Sequence, residues 1–329
     1  KIGVIEIPTF YADFKAIQQN DPNYKSTTRD VTRLLGELKD ENVEGIVIDL
    51  RNNGGGSLQE ANSLTGLFIK SGPTVQVKSQ RRNAYQYSDM DDTAAWDGPL
   101  AVIVNRLSAS ASEIFASAIQ DYGRGIITGS QSFGKGTVQT LVPLKRGQLK
   151  ITQAKYYRVS GQSTQHQGVV PDIEFPEVFN IDRIVESSLD TSLQRDNIKP
   201  AVYPSGDGIS RSLERLIEKH EQRVATDADF KYLRTLSERN REKRGKTHVS
   251  LNQAIREKEK ADDDTWRLEM ENALLRAKGG EPLESLDDLD STISDEEDPN
   301  DDAILRETGW ILLNYIGFEQ QIVMLEDAS

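Results

Sequence analysis

Two short segments hold the residue types that could do chemistry. One runs from Asn105 to Glu113 and contains Ser108, Ser110 and Ser112; the other runs from Ser132 to Gln139 and contains Lys135. Lys135 follows Ser110 by twenty-five residues. A serine hydroxyl needs a base to become a nucleophile at neutral pH. A lysine can be that base if burial lowers its pKa, because desolvation disfavours the charged form. The three histidines, at 166, 220 and 248, all lie away from the serine cluster in sequence. A Ser–Lys pair is therefore simpler to build here than a Ser–His–Asp triad. The chain has no cysteine, which rules out thiolate catalysis, disulfides and Cys-based metal sites.

The elements that must position these residues follow from pattern. Residues 99–104 read as a buried strand, and a helix over 110–122 follows, with Gly123 closing it. Ser110 then sits at the strand-to-helix junction, where free N–H groups and the positive end of the helix dipole favour a developing oxyanion. The competing reading is that the three serines are caps and small packing residues. The run Asp49 to Gly56 carries three glycines from the end of an apolar strand into a second helix. It could offer backbone N–H groups to a ligand or form half of an oxyanion hole; it could equally be a plain turn capped by Ser57. Gln139 lies four residues after Lys135 on a predicted strand. Its oxygen could orient a neutral lysine amine, or the side chain could simply face water. Asp121, near the helix end, is a candidate supporting group whose role stays open.

Two look-alikes fail on context. Gly129 to Lys135 matches the start of a phosphate-binding loop, but Gly136 stands where the magnesium-binding Ser or Thr belongs, and a strand-like run follows where a helix is needed. Ser132 to Lys135 matches S-x-x-K, yet it does not open a helix.

Predicted strands at 2–7, 44–50, 74–80, 99–104, 125–128, 136–144, 149–158 and 169–175, with helices at 26–40, 57–70 and 110–122, argue an α/β core. Thr27 or Thr28 is expected to cap the first helix, and Ser57 with Glu60 to form a capping box on the second. Residues 81–98 read as a loop or hairpin. From about 180 the chain changes to charged helix-like segments at 210–224, 227–243, 249–278 and 303–317, after a Pro- and Gly-marked linker. An acidic stretch at about 281–302, without Lys or Arg, is expected to be mobile. The net charge of −13 falls entirely in the second half, since residues 1–180 balance. Nucleic-acid binding is disfavoured, because phosphate contacts need clustered positive charge. No apolar run approaches the roughly 20 residues of a membrane span. The chain opens directly on a strand-like alternation with no visible signal peptide, which suggests a fragment or a processed chain.

Taken in order, Asp49 to Gly56, Ser108 to Glu113, Gly134–Gly136 with Gln139, and Gly168 to Asp172 resemble the motifs of the carboxy-terminal processing proteases, the tail-specific (S41) family of Ser–Lys endopeptidases. The resemblance covers residues 1 to about 178. The helical remainder resembles the long C-terminal extension of the bacterial forms. The twenty-five-residue spacing selects Ser110 from the three serines. The resemblance implies Ser110 as nucleophile, Lys135 as general base and Gln139 as its orienting partner. It implies an oxyanion hole from the backbone N–H groups of Gly55 or Gly56 and of Ala111, and it places an aspartate at Asp121. The implied fold is a crotonase/ClpP-like spiral α/β core, 1–178, followed by a charged all-helical domain, 179–329. The implied substrates are proteins, unfolded or with apolar C-terminal tails, cut in the bacterial periplasm without metal or cofactor. An adaptor protein could dock on the helical domain. Family members carry a PDZ domain near the position of Ile2, and it is not seen in this sequence. Rival readings are a non-catalytic scaffold on the same fold and a crotonase-type acyl enzyme, which would need a basic patch for coenzyme A.

Overall fold

The structure, a computed structural model, describes residues 1–179, 185–206, 208–246, 248–288, 298 and 300–327. Of the acidic stretch expected to be mobile, 289–297 and 299 lie outside the described residues. In chain order the strands are β1 (Ile2–Glu6), β2 (Gly45–Asp49), β3 (Gly72–Lys78), β4 (Tyr85–Asp89), β5 (Leu100–Val104), β6 (Ile126–Gly129), β7 (Thr137–Pro143), β8 (Gln148–Tyr157) and β9 (Ile173–Glu174). The helices are α1 (Phe14–Gln18), α2 (Thr27–Asp40), α3 (Leu58–Gly66), α4 (Ala111–Asp121), α5 (Gly208–Val224), α6 (Ala228–Arg244), α7 (Gln253–Ala277) and α8 (Ala303–Asp327). This is a mixed α/β core with a helical C-terminal region.

One sheet is wholly parallel, in the order β1-β2-β5-β6-β9. Every residue of β2 and β5 is buried, as expected of central strands covered on both faces, which read as continuous apolar runs rather than alternations. The second sheet is antiparallel, in the order β4-β3-β8-β7. Its β4 falls inside the polar 81–98 stretch, where tyrosines at 85 and 87 supply the strand and pair with β3. Predicted strand 169–175 shrinks to Ile173–Glu174, because the backbone of Val169 is committed to Ser132 instead: Ser132 N–H donates to Val169 O (3.0 Å), and Val169 N–H to Ser132 Oγ (2.7 Å).

The helix starts follow side-chain chemistry. Ser26, not Thr27 or Thr28, caps α2, accepting the Arg29 N–H. Thr27 is drawn off by the Tyr11 N–H (2.8 Å), and Thr28 by Glu60 Oε2 (2.7 Å). Ser57 does cap α3 through the Glu60 N–H, but the Glu60 carboxylate serves α2 rather than closing a capping box. Helix α4 buries all nine residues from Ala111 to Ile119; its small Ala and Ser side chains let it lie close to the sheet.

By compactness the chain forms two units: residues 1–175, 181–217 and 308–329 in one, and 176–180 with 218–307 in the other. In the first, Leu312 of α8 fills the space where Gly45 of β2 has no side chain, and Thr308 bonds Thr128 of β6 (3.0 Å). In the second, Glu307 pairs with buried His220 (2.9 Å) and with Arg223 (2.7 Å), while Tyr232 of α6 donates to Glu271 of α7 (2.6 Å). Among the described residues no helix is long and apolar enough to cross a membrane.

At the end of α4, Asp121 pairs with Arg158 (2.6 Å) and accepts from the Ser160 hydroxyl (3.1 Å). Both ends of the ion pair are largely withdrawn from water, so removing one strands the other. Asp121→Ala is expected to lower unfolding free energy by about 3 kcal/mol, read by urea denaturation; a loss under about 1 kcal/mol would show that the pair is as weak as a surface pair.

Candidate active site

Ser110 stands one residue before α4 with φ 59° and ψ −111°, a conformation that an L-residue rarely adopts. Holding a non-glycine residue there costs about 1–3 kcal/mol, so neighbours must enforce it. Its flanking serines do so. Ser108 Oγ donates to Leu50 O (2.8 Å), and Ser112 Oγ to Asn53 O (2.9 Å), tying the start of α4 to the glycine turn after β2. Both are fully buried, whereas Ser110 is only half-buried. The packing reading thus describes Ser108 and Ser112, while Ser110 is the N-cap residue of α4. The glycine turn has to come this close: a Cβ on Gly55 would lie 2.8 Å from Ser110 Cβ, and one on Gly56 would lie 2.1 Å from Phe10 O.

The turn that carries Lys135 is fixed through its whole backbone. Gly134 and Lys135 N–H donate to Glu113 (2.7 and 3.0 Å), and Gly136 N–H donates to Gln165 Oε1 (2.8 Å). Their carbonyls accept from His166 N–H (2.8 Å), the Tyr156 hydroxyl and Tyr156 N–H (3.0 Å), respectively. Glu113 is wholly buried on α4 and also accepts the Ser110 N–H (2.7 Å) and the Ser132 hydroxyl (2.7 Å). One carboxylate therefore holds the serine segment and the lysine segment together. Burial pushes Glu113 up to about 7 even against these donors, which pull the other way.

Ser110, Ala111, Gly56, Lys135 and Gln139 meet at one cavity of about 420 Å³. The Lys135 amine is held below its usual range, first by desolvation and then by repulsion from Lys150, while the charges of Glu186 and Glu113 oppose the shift. Gln139 is exposed on β7, in register with Thr152 of β8 beside a bulge at Val138–Gln139. Ala111 is the first residue of α4, so its N–H has no partner within the helix. The Gly55 N–H already donates to Asn53 Oδ1 (2.8 Å), which leaves Gly56 as the glycine of the pair that lines the cavity with no such commitment. Asp121 does not line it. Nor do the histidines: His166 bonds Ser192 (2.9 Å), and His220 bonds Glu307.

Three residues of this site carried no assignment from sequence. Glu113 had a readable signal, since Ser110 and Glu113 have the S-x-x-E spacing of a capping box and Glu113 does return to the Ser110 N–H. Tyr156 and Lys150 had none, because only the β7–β8 pairing brings their strand beside the lysine. The motif Gly168 to Asp172 finds its reason here too. Gly168 packs on Ser132, and the Asp172 carboxylate accepts the Ile127 N–H of β6 (2.8 Å).

The family model for peptidase family S41 matches residues 1–175, and that for the C-terminal domain of tail specific protease matches residues 179–317. The tail-specific protease of Haemophilus influenzae is 39% identical over 329 residues, which cover 96% of this chain and 45% of that protein. A carboxy-terminal-processing protease of Bartonella bacilliformis is 38% identical over 48% of this chain and 37% of its own length. Among solved structures, a photosystem II D1 C-terminal processing protease is 32% identical with a TM-score of 0.46, over 58% of this chain and 47% of that one. The chain thus spans less than half the length of these relatives.

Glu113→Gln would turn an acceptor oxygen into an amide that faces donors. The variant is expected to lose about 2–3 kcal/mol, the desolvation cost of buried N–H groups left unpaired. The pH dependence has a definite sign. The folded protein holds the Glu113 proton up to about 7, and the unfolded chain only to the ordinary glutamate value near 4.5. This group's stabilisation is therefore full below pH 4.5 and is lost as pH rises to about 7. Denaturation of wild type and Glu113→Gln across that window should show the wild type alone losing this increment; parallel curves would refute the shift.

Proposed function

We propose that this chain, which belongs to peptidase family S41, is a serine endopeptidase working with a Ser110–Lys135 dyad. The observation that carries the reading is convergence. A half-buried serine in a strained turn and a lysine held below its usual pKa line the same cavity, and one buried carboxylate clamps both segments. In this reading neutral Lys135 takes the Ser110 proton while Oγ attacks the peptide carbonyl. The N–H groups of Gly56 and Ala111 receive the oxyanion of the tetrahedral intermediate, at the positive end of α4. Lysine then gives its proton to the leaving amine, leaving an acyl group on Ser110. Water, activated by the same amine, releases it. Gln139, at the rim of the cavity, orients the amine through its side-chain oxygen. Ser110→Gly would relieve the φ strain without supplying a nucleophile, so the strained conformation has a use only if the hydroxyl does.

The whole protein's substrates and setting are part of the same proposal. It takes protein chains that are unfolded or end in apolar residues, and it acts in the bacterial periplasm. The chain divides functionally at 178/179, and the helical region serves substrate handling or the docking of an adaptor.

The test of the dyad has three arms. A fluorophosphonate should label Ser110, and Ser110→Ala should abolish hydrolysis of an unfolded protein while keeping the fold; retained turnover would end the assignment. Lys135→Arg should be as damaging as Lys135→Ala, each by at least about a thousandfold, because a guanidinium stays protonated and cannot accept the serine proton. Lys150→Gln should move the acid limb of kcat/KM to higher pH. Removing a neighbouring positive charge lets Lys135 keep its proton longer, and only the neutral amine is the base. A shift to lower pH, or none, would contradict the general-base role. For the tail preference, which concerns the whole protein, an unfolded substrate with an apolar C-terminus should be cut faster than the same substrate with a charged one, and equal rates would contradict it.

A further inference from the structure

Glu113 explains two of the three N–H bonds that fix the lysine turn; the third belongs to a separate network. The Gly136 N–H donates to Gln165 Oε1 (2.8 Å), and Gln165 Nε2 in turn donates to Glu186 Oε1 (3.1 Å). Gln165 is wholly buried and Glu186 is 8% exposed. Gly136 lies against Gln165 so closely that a Cβ there would come within 2.8 Å of the Gln165 backbone nitrogen. The Glu186 backbone also reaches the same loop, its N–H donating to Phe133 O (3.4 Å). Glu186 opens a short 3₁₀ turn, Glu186–Ser188, in the segment after the peptidase match, within the stretch matched by the C-terminal domain of tail specific protease.

We propose that Glu186 and Gln165 form a second clamp on the lysine turn, and that Glu186 is a positioning residue for Lys135 supplied by the chain beyond the peptidase core. The inference rests on reading Lys135 as the base. An amide side chain has one acceptor and two donor hydrogens, and either end can turn toward the Gly136 N–H. Only the acceptor end works there. A carboxylate behind the amide decides the orientation, because it accepts from Nε2 and repels the amide oxygen. Glu186 thus sets the Gln165 amide, Gln165 fixes Gly136, and Gly136 fixes the direction in which the lysine side chain leaves the turn. A misplacement of about 1 Å at such a group costs on the order of a hundredfold in rate, which makes the second clamp as consequential as the first.

Glu186 also acts on the amine through its charge. The groups bearing on Lys135 are Lys150 and Tyr156 of β8, Glu113 of α4 and Glu186 of the 3₁₀ turn. The two carboxylates favour the protonated amine, while Lys150 and burial disfavour it. Removing the Glu186 charge while keeping an acceptor in place should therefore lower the lysine pKa. Activity should then extend to lower pH, opposite in direction to the Lys150→Gln shift.

The experiment uses the full chain, an unfolded protein substrate, and kcat, KM, melting temperature and pH profile as readouts. Glu186→Gln should move the acid limb of kcat/KM to lower pH by a few tenths of a unit or more. Gln165→Leu, which leaves the Gly136 N–H without an acceptor, should lower kcat by about 10- to 100-fold with KM within about twofold. Gln165→Glu alone sets two carboxylates against each other and should be at least as damaging. The double variant Gln165→Glu/Glu186→Gln exchanges the pair and should recover most of kcat. An unmoved acid limb in Glu186→Gln, or no recovery in the double variant, would overturn the proposal. If Gln165→Leu fails to fold, Glu186→Gln and the exchange variant still decide it. Fluorophosphonate labelling of Ser110 separates the two ideas. A labelled, active wild type with indifferent Glu186 variants sinks this inference alone, whereas activity retained in Ser110→Ala sinks the dyad itself.

Discussion

A carboxylate with no access to water must be met by donors or give up its charge, and Glu113 is met from two segments far apart in sequence. It accepts the Ser110 N–H just before its own helix, and the Ser132 hydroxyl and the Gly134 and Lys135 N–H groups on the loop after β6. The distance between the serine and lysine segments is therefore set by the size of one carboxyl group. The desolvation that this requires appears as a pKa pushed up to about 7, so the clamp is held at a cost to the ionised form. Replacing it with a well-packed apolar side chain could relieve that cost, but it would leave buried N–H groups unpaired and let the two segments part.

The parallel sheet explains how these segments reach one another. β2, β5 and β6 are neighbours, so the loops that leave their C-terminal ends lie side by side. The glycine turn leaves β2, the serine segment leaves β5 and the lysine loop leaves β6. In open parallel sheets this edge is where ligands gather, since loops and helix N-termini both point there. The serine segment is further locked by Ser108 and Ser112, whose hydroxyls donate to the backbone of the glycine turn, and that turn by Asn53, whose Nδ2 donates to Ile7 O after β1. Such rigidity is what allows Ser110 to stay at positive φ.

The antiparallel sheet supplies the other wall. Tyr156 and Lys150 arrive on β8 and Gln139 on β7, so the polar character around the lysine amine is set by a hairpin register. The amine stands between opposed influences: burial and Lys150 on one side, Glu113 and Glu186 on the other. Small displacements of charge at this hairpin should tune the base without touching the serine.

The sequence by itself determined the α/β order of the core, the strand-to-helix junction at Ser110, the glycine turn, and the lysine after Gly134, because hydrophobic period, glycines and caps are local signals that neighbours along the chain can carry. It did not show that Ser26 caps α2 or that Val169 leaves the predicted strand to bond Ser132, and it left 81–98 open between a loop and the hairpin that β4 makes with β3. In each case a distant partner outbids a local preference: Tyr11 takes Thr27, β3 recruits Tyr85–Asp89, and Ser132 takes the Val169 backbone. At the site the division is sharper. The three serines are equal as residue types, and only the tertiary structure gives two of them buried backbone partners and leaves the third strained and half-exposed beside the lysine. Glu113, Gln165 and Glu186 likewise gain their meaning only when folding removes water, because a carboxylate or amide in solvent has no fixed partner and one in the core must have several.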